Sequence, residues 1–350
     1  MRTVVGTMTG TSMDSVDAVA VSIQGQGKTM TASFGAIASQ GLGDLPKILR
    51  HLASGNGSTN EMNHAAAEIG SITASAISKL DVETIDLIAL HGQTIFHKPP
   101  TSIQLIDPTP VVDTFQCTVL TDPRKADLDH GGQGAPITPL ADWVMFRSKE
   151  ESTAIVNLGG FCNVTVLPAG SEPNAVQGFD VCCCNLILDA IARQLLGEAF
   201  DCGGKEAMHG SPDKDACSQL LEHLEQQRTA PRSLGTGDDL GDYTIKLGLQ
   251  LSPADLLATA TVAIGSCITN AVHNVDRVFL AGGGVHNAAL RNAIRNNGTT
   301  DDLGIPTQAR EAMAMAILGA LAQDGVSITL PQITGRRETS ELVGWVQARP

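Results

Sequence analysis

Twice in this chain an apolar run meets a turn of small or hydroxylated residues and resumes as a second apolar run. The first instance is Thr3-Val4-Val5, then GTMTGTSMDSVD over residues 6–17, then Ala18 to Ile23. The second is TAIVNL (153–158), the pair Gly159-Gly160, then VTVL (164–167). Apolar runs flanking a short glycine-containing turn read as β-hairpins. Their recurrence predicts two similar half-domains, each offering one hairpin turn to a shared cleft. A third turn, Gly282-Gly283-Gly284, follows the strand-like run RVFLA (277–281) and leads into a helical pattern. A length of 350 residues fits two domains.

The turn residues carry the chemistry. Gly6, Thr7, Thr9, Gly10, Thr11 and Ser12 leave backbone N–H groups open to an anion, and glycine lets the chain approach closely. Two carboxylates follow, Asp14 and Asp17, where a divalent cation can be held beside that anion. The segment is not a Walker loop, because no G-x-x-x-x-G-K-[ST] is present. Gly159 and Gly160 in NLGGFCNVT (157–165) form a second candidate phosphate turn, although an ordinary structural turn has the same pattern. Gly282 to Gly284 allow the close approach of a flat ligand or of phosphates.

Charge narrows the partners. Net charge is −14, and no basic cluster neutralises a phosphate backbone, so nucleic acid and anionic membranes are excluded as expected partners. No secretory leader is visible, and no run approaches the roughly 18 apolar residues of a membrane span, so the chain reads as cytoplasmic. In that compartment its eight cysteines are expected as reduced thiols. Cys182-Cys183-Cys184 lacks the spacing of a zinc site. Three adjacent thiols near an acid residue make oxidation-sensitive activity an expectation.

Between the turns, strands and helices alternate. Helical spacing marks 61–80, 287–296 and 311–323. Ser252-Pro253-Ala254-Asp255 starts a further helix running to about Val275. IDLIAL (85–90) reads as a buried strand that ends at His91-Gly92. Just past it, HGQTIFHKP (91–99) places His91, Gln93 and His97 where α/β folds bind ligands. Asp122, Arg124 and Asp127 precede GGQGAP (131–136), a shaped loop able to wrap a sugar; an Arg124 ion pair with Asp127 or Asp122 is the competing reading. Asp180 in GFDVCCCNLILD (178–189) stands before a run that turns helical, as a general base or as a helix cap. Glu311 opens the small-residue helix REAMAMAILGALA (310–322) as a dipole partner or a ligand contact.

Taken together, GTMTGTSMDSVD, HGQTIFHKP, GGQGAP, NLGGFCN, GFD, AGGGVHN, EAMAMA and LPQITG occur in the order found in anhydro-N-acetylmuramic acid kinases, and the chain resembles that family over nearly its whole length. The resemblance implies an α/β, two-domain actin-like (ribonuclease H-like) ATPase fold with a central nucleotide cleft. Its N-terminal domain would take residues 1–124 plus 326–350, and its C-terminal domain residues 125–325. It implies ATP and Mg²⁺, an anhydrosugar substrate, and a homodimer in the cytoplasm. The reaction implied is hydrolytic opening of 1,6-anhydro-N-acetylmuramic acid with phosphorylation of O6 in cell-wall recycling. Alternatives are a kinase of another anhydrosugar such as levoglucosan, or a nucleotide-binding relative that no longer catalyses. By position, Asp180 would activate the water. Gly10, Thr11, Ser12, Met13 and Asp14 would grip phosphates, with Asp14 at the metal. Asn157, Gly159 and Gly160 would form the second phosphate turn and Gly282, Gly283 and Gly284 the adenosine turn. His91, Arg124, Gln133 and Glu311 would meet the sugar or order its site. The chain departs from the family at Val181-Cys182-Cys183-Cys184, where relatives carry Thr-Gly-Pro-Gly. Side chains there are expected to strain the backbone and to enter a site that glycine keeps open.

Overall fold

The computed structural model describes the chain apart from residues 11–12, 230–231, 339–344 and 349–350, and apart from the side chains of 346–348. Two compact units result. Unit 1 holds Met1–Arg147, Ser171–Gln177 and Gly304–Pro350, and unit 2 holds Ser148–Gly170 and Gly178–Leu303. In chain order the strands are β1 (Arg2–Thr9), β2 (Ser15–Gln24), β3 (Thr31–Gly41), β4 (Leu87–Leu90), β5 (Gln93–Lys98), β6 (Thr101–Leu105), β7 (Thr118–Thr121), β8 (Thr153–Leu158), β9 (Phe161–Leu167), β10 (Gln177–Cys183), β11 (Arg277–Ala281) and β12 (Val346–Ala348).

The sheet of unit 1 has the order β12-β7-β4-β1-β2-β3. β1 and β2 form the expected antiparallel hairpin, with Val5 opposite Ala20 and Thr9 opposite Val16. β4 and β7 then run parallel to β1. All four residues of β4 are buried, which is why its sequence is continuously apolar and not alternating. Unit 2 repeats the plan: its sheet runs β10-β9-β8-β11, with β8 and β9 antiparallel and β11 parallel to β8. The order β3-β2-β1-β4 in one unit is thus β10-β9-β8-β11 in the other. The internal echo in the sequence is a duplicated topology, and both hairpin turns sit at equivalent strand ends.

The helices follow local chemistry. Ser58 and Glu61 make a reciprocal capping box that starts the Thr59–Ser78 helix two residues before the apolar periodicity does. Ser252 accepts from Asp255 N and caps the Pro253–Ala271 helix. That helix is the one span-length apolar helix among the described residues. Its Leu256, Leu257, Ala260, Ala263, Ile264, Cys267 and Ile268 sit in the core of unit 2. The segment expected as a helix over 287–296 gives only Ala288–Ala293, because a 3₁₀ turn from Gly283 to His286 precedes it.

Unit 1 depends on one close approach. The Arg310–Gln323 helix lies on β1, β2 and β4. At Gly6, in the middle of β1, an added Cβ would stand 2.0 Å from Ala312 O and 2.4 Å from Ala316 N. The small-residue face read from the sequence lets backbone meet backbone here. We expect Gly6→Ala to destabilise unit 1 by about 1–3 kcal/mol, the usual cost of overpacking a rigid contact. A lowered urea midpoint would register it, and an unchanged midpoint would show that the helix can move away freely.

Candidate active site

The first hairpin turn closes with Met13 N donating to Gly10 O at 3.1 Å, and Met13 takes a positive φ of 56°. Asp14 follows at an exposed position. Thr11 and Ser12, expected in the same grip, lie outside the described residues. Asp17, the second acid of the segment, is on β2. Its Oδ1 accepts from Ser39 Oγ at 2.5 Å and from Gln308 Nε2 at 3.1 Å, and burial raises its pKa. That carboxylate ties β2 to β3 and to residue 308.

At the end of β4 the chain turns at Gly92, where φ is 77° and an added Cβ would come within 3.0 Å of Leu105 O. The Gly92 carbonyl accepts from Thr9 Oγ1 at 2.7 Å and lies 2.8 Å from His91 Nδ1. Since Nδ1 faces a carbonyl, it carries the proton, and Nε2 is the acceptor. Arg124 supplies the donors: its Nη2 is 3.0 Å and its Nε 3.2 Å from His91 Nε2. A third bond runs from Arg124 Nη1 to Gly134 O at 2.8 Å. His91 is 1% exposed, and burial, followed by the Arg124 charge, lowers its pKa to about 3. The same two causes lower His97 to about 4. A neutral imidazole therefore holds the guanidinium.

GGQGAP is shaped from beneath by Asp127. This fully buried carboxylate accepts from Gly134 N at 2.8 Å and from Thr334 Oγ1 at 2.7 Å. Gly132 passes so close that a Cβ would stand 2.1 Å from Asp127 Oδ2. Gln133 N donates to Thr334 O at 2.9 Å, so the late LPQITG motif pins the loop. Glu311 sits half-buried in the first turn of its helix. The residue before it, Arg310, is fully buried and forms an ion pair with Asp142.

In unit 2, Asn157 at the end of β8, the glycines after β11 and Asn185 at the next helix start converge. Asn185 Nδ2 donates to Leu158 O at 3.1 Å. Gly282 has a φ of 81°, and an added Cβ would meet Asn157 Oδ1 at 2.7 Å. A Cβ on exposed Gly283 would meet nothing within 4 Å, so this turn has an open side. The carbonyls of Gly159 and Gly160 accept from Asn185 N at 3.1 Å and Cys184 N at 2.8 Å, which caps the Asn185–Ile191 helix.

Asp180 lies within β10 and not at a loop-to-helix junction, because the strand continues to Cys183. It is half-buried, and its Oδ2 accepts from Leu234 N at 2.7 Å. The loop that aims Leu234 is folded around Asp238, which accepts from Arg232 Nη1 at 2.7 Å and Gly235 N at 2.8 Å. Neither Leu234 nor Asp238 was legible as a site residue. A backbone donor leaves no mark in sequence, and the acid in RSLGTGDD reads as an ordinary loop residue. Asp189, one turn into the following helix, has its carboxyl pushed up to about 6 by burial.

The Val181–Cys184 departure is absorbed by the core. All four side chains are fully buried in the hydrophobic cluster of unit 2, and none of the four residues has a positive φ. The expectation of backbone strain is corrected accordingly. So is that of oxidation-sensitive thiols: burial pushes Cys184 up to about 12 and Cys183 higher still. These are poor thiolates and poor targets.

Two units of duplicated ribonuclease H-like strand order, with glycine turns at matching strand ends, define an actin-like α/β protein. The family model for anhydro-N-acetylmuramic acid kinase matches residues 2–347. The anhydro-N-acetylmuramic acid kinase of Salinibacter ruber is 34% identical over 373 aligned residues, covering 95% of this chain and 93% of the relative. That of Gloeobacter violaceus is 31% identical over 361 residues, with 95% of each covered. Among solved structures, component A of the Acidaminococcus fermentans (R)-2-hydroxyglutaryl-CoA dehydratase aligns at 13% identity and a TM-score of 0.42, over 93% of this chain and 99% of its own. The chain belongs to the anhydro-N-acetylmuramic acid kinase family.

Two outcomes follow from this geometry. In the native protein a thiol reagent should modify exposed Cys202 first, while Cys162, Cys182, Cys183, Cys184 and Cys267 react only on unfolding, as read by peptide mapping. Labelling of 182–184 in the native state would contradict the burial. Both histidines titrate below their ordinary 6.5 in the fold, so as pH falls the unfolded chain takes up protons first. Their contribution is fully present above about pH 6.5 and declines from there toward pH 4, by up to about 1.4 kcal/mol per pH unit for each. Urea midpoints between pH 7.5 and pH 5, above most of the carboxylate range, should therefore fall with pH. A flat profile would mean that the imidazoles are hydrated.

Proposed function

We propose that this chain is an ATP-dependent kinase that hydrolytically opens the 1,6-anhydro bond of anhydro-N-acetylmuramic acid and phosphorylates O6. The product is N-acetylmuramic acid 6-phosphate, an intermediate of peptidoglycan recycling. The observation that carries this reading is the family match over residues 2–347, joined to relatives that bear the same name. We place the protein in the cytoplasm as a homodimer. The net charge of −14 argues against a nucleic-acid partner.

In this reading a water oxygen bonds to C1 as the C1–O6 bond breaks, O6 bonds to the γ-phosphorus, and ADP leaves. Asp180 takes the proton from the water, and the Leu234 N–H on its Oδ2 fixes the rotation of the carboxylate. Gly10, Thr11, Ser12, Met13, Asp14, Asn157, Gly159 and Gly160 would face the phosphates. Gly282 to Gly284 would accept adenosine, and the open side at Gly283 suits a flat ring. Exposed Asp14 would hold Mg²⁺ together with phosphate oxygens, since no cluster of three or more protein ligands stands together among the described residues. The cation would supply charge neutralisation to the transferring phosphoryl group. Arg124, Gln133 and Glu311 would order or contact the sugar, with His91 holding Arg124 in place.

ADP release with Mg-ATP should require anhydro-N-acetylmuramic acid and should fall far lower with levoglucosan or with no sugar. Asp180→Asn should lower kcat by about 10²- to 10⁴-fold, the range of general acid–base catalysis, with ATP binding retained. Sugar-independent ATP hydrolysis, or a variant as active as the parent, would overturn the reading.

A further inference from the structure

Among the described residues, three that are not glycine take a positive φ: Met13, Gln116 and Asp122. Met13 closes the first hairpin turn, and Gln116 ends the Thr109–Phe115 helix in the left-handed position usual there. Neither cause applies to Asp122, whose φ is 59° directly after β7. The left-handed region is costly for a residue with a Cβ, and aspartate and asparagine tolerate it because their side chains bond locally. Here the half-buried Asp122 carboxylate accepts from Lys125 N, while the Asp122 carbonyl is 3.4 Å from the same nitrogen. Pro123 between them is buried and steers residue 122 away from the right-handed helical region. The short helix Lys125–Asp129 thus takes its cap from residue 122, because Arg124 at the N-cap position makes no side-chain cap bond. The Arg124 guanidinium instead reaches His91 Nε2 and Gly134 O. Those two anchors are fixed independently of it, His91 through Gly92 and Thr9, and Gly134 through Asp127. What remains to be set is the main chain from which Arg124 projects.

We propose that Asp122 is a positioning residue for sugar binding: its left-handed turn and its carboxylate on Lys125 N fix the backbone from which Arg124 spans His91 and Gly134. The proposal rests on the kinase reading above, which puts Arg124 at the sugar. A change of φ at residue 122 redirects the chain after it and displaces the Arg124 Cα relative to β7. A guanidinium carried on a displaced Cα no longer meets two anchors that stay where they are. An arginine that has lost them regains its rotamers, and ordering those rotamers on binding costs affinity. Backbone strain of this kind gathers at functional sites, where the surrounding structure holds it in place.

The first readout is nitrogen NMR of the His91 ring in the full chain, which needs no turnover. Asp122→Ala loses the carboxylate and disfavours a positive φ, so it should move the Nε2 signal, where Arg124 donates, away from that of the parent. Kinetics with Mg-ATP follow. Asp122→Ala should raise KM for anhydro-N-acetylmuramic acid about 5- to 20-fold, the range a lost cap allows, with kcat and the KM for ATP within about 2-fold of the parent. Asp122→Asn keeps an acceptor oxygen and tolerates the same φ, and should bring the sugar KM back to within about 2-fold of the parent. Asp122→Gly keeps only the turn and should fall between the two; it takes the place of the alanine variant if that one does not fold. Asp129→Ala removes the exposed 2.6 Å pair with Lys125 from the same helix and should leave the sugar KM unchanged, which separates the hold on Arg124 from the stability of the helix. An unmoved His91 signal, an unchanged sugar KM in Asp122→Ala, an asparagine variant no better than alanine, or an equal rise in both KM values overturns the proposal. A parent chain that turns over no anhydrosugar sinks the kinase reading and the proposal together, whereas normal parent turnover with an indifferent Asp122→Ala sinks the inference alone.

Discussion

Arg310 and Asp142 are both fully buried, and each is tolerable only because the other is there. Removing one partner of such a pair strands a charge in the core, at a cost of about 3–5 kcal/mol. The guanidinium spends Nε on Asp142 Oδ1 at 2.9 Å and reaches Thr138 Oγ1 at 3.3 Å. Two helices of unit 1, Pro139–Phe146 and Arg310–Gln323, are thereby locked at one point. From there the second helix runs across Gly6 and sets the level of β1. Thr9 at the end of β1 holds the Gly92 carbonyl, Gly92 holds His91, and His91 holds Arg124. A buried salt bridge next to Glu311 thus heads a chain of packing and hydrogen-bond contacts that ends at Arg124.

Much of this was legible because the signals were periodic or compositional. The two hairpins, the buried run of β4, the capped Pro253–Ala271 helix and the alanine-rich 310–323 helix each follow from a local pattern. β3 did not, because an edge strand with alternating exposure, a bulge near Ala20 and a glycine at position 35 has no apolar run to announce it. β10 was hidden by the cysteines, which read as reactive side chains although they behave here as small hydrophobes. Candidate site residues could be named by motif, but their partners could not. That Asp127 shapes the loop containing Gln133, or that a Leu234 amide aims Asp180, depends on contacts between segments distant in the chain.

The cysteine run also shows how a departure from a family pattern can be neutral to the backbone. A glycine-rich segment is needed only where φ is positive or where no side chain fits. Here the φ values are ordinary, and Cys162, Cys182, Cys184 and Cys267 fill one region of the core of unit 2. Cys183 N also finds a partner, Gln227 Oε1 at 2.8 Å, which moors β10 to the Lys214–Arg228 helix.

The carbonyls of Gly159 and Gly160 accept from Asn185 N and Cys184 N, at the start of the helix that begins five residues after Asp180. In the reading proposed above, the turn that would face phosphate and the strand that carries the Asp180 carboxylate are joined by backbone bonds at Cys184 and Asn185, so a change in the shape of the turn would reach the carboxylate through main chain alone.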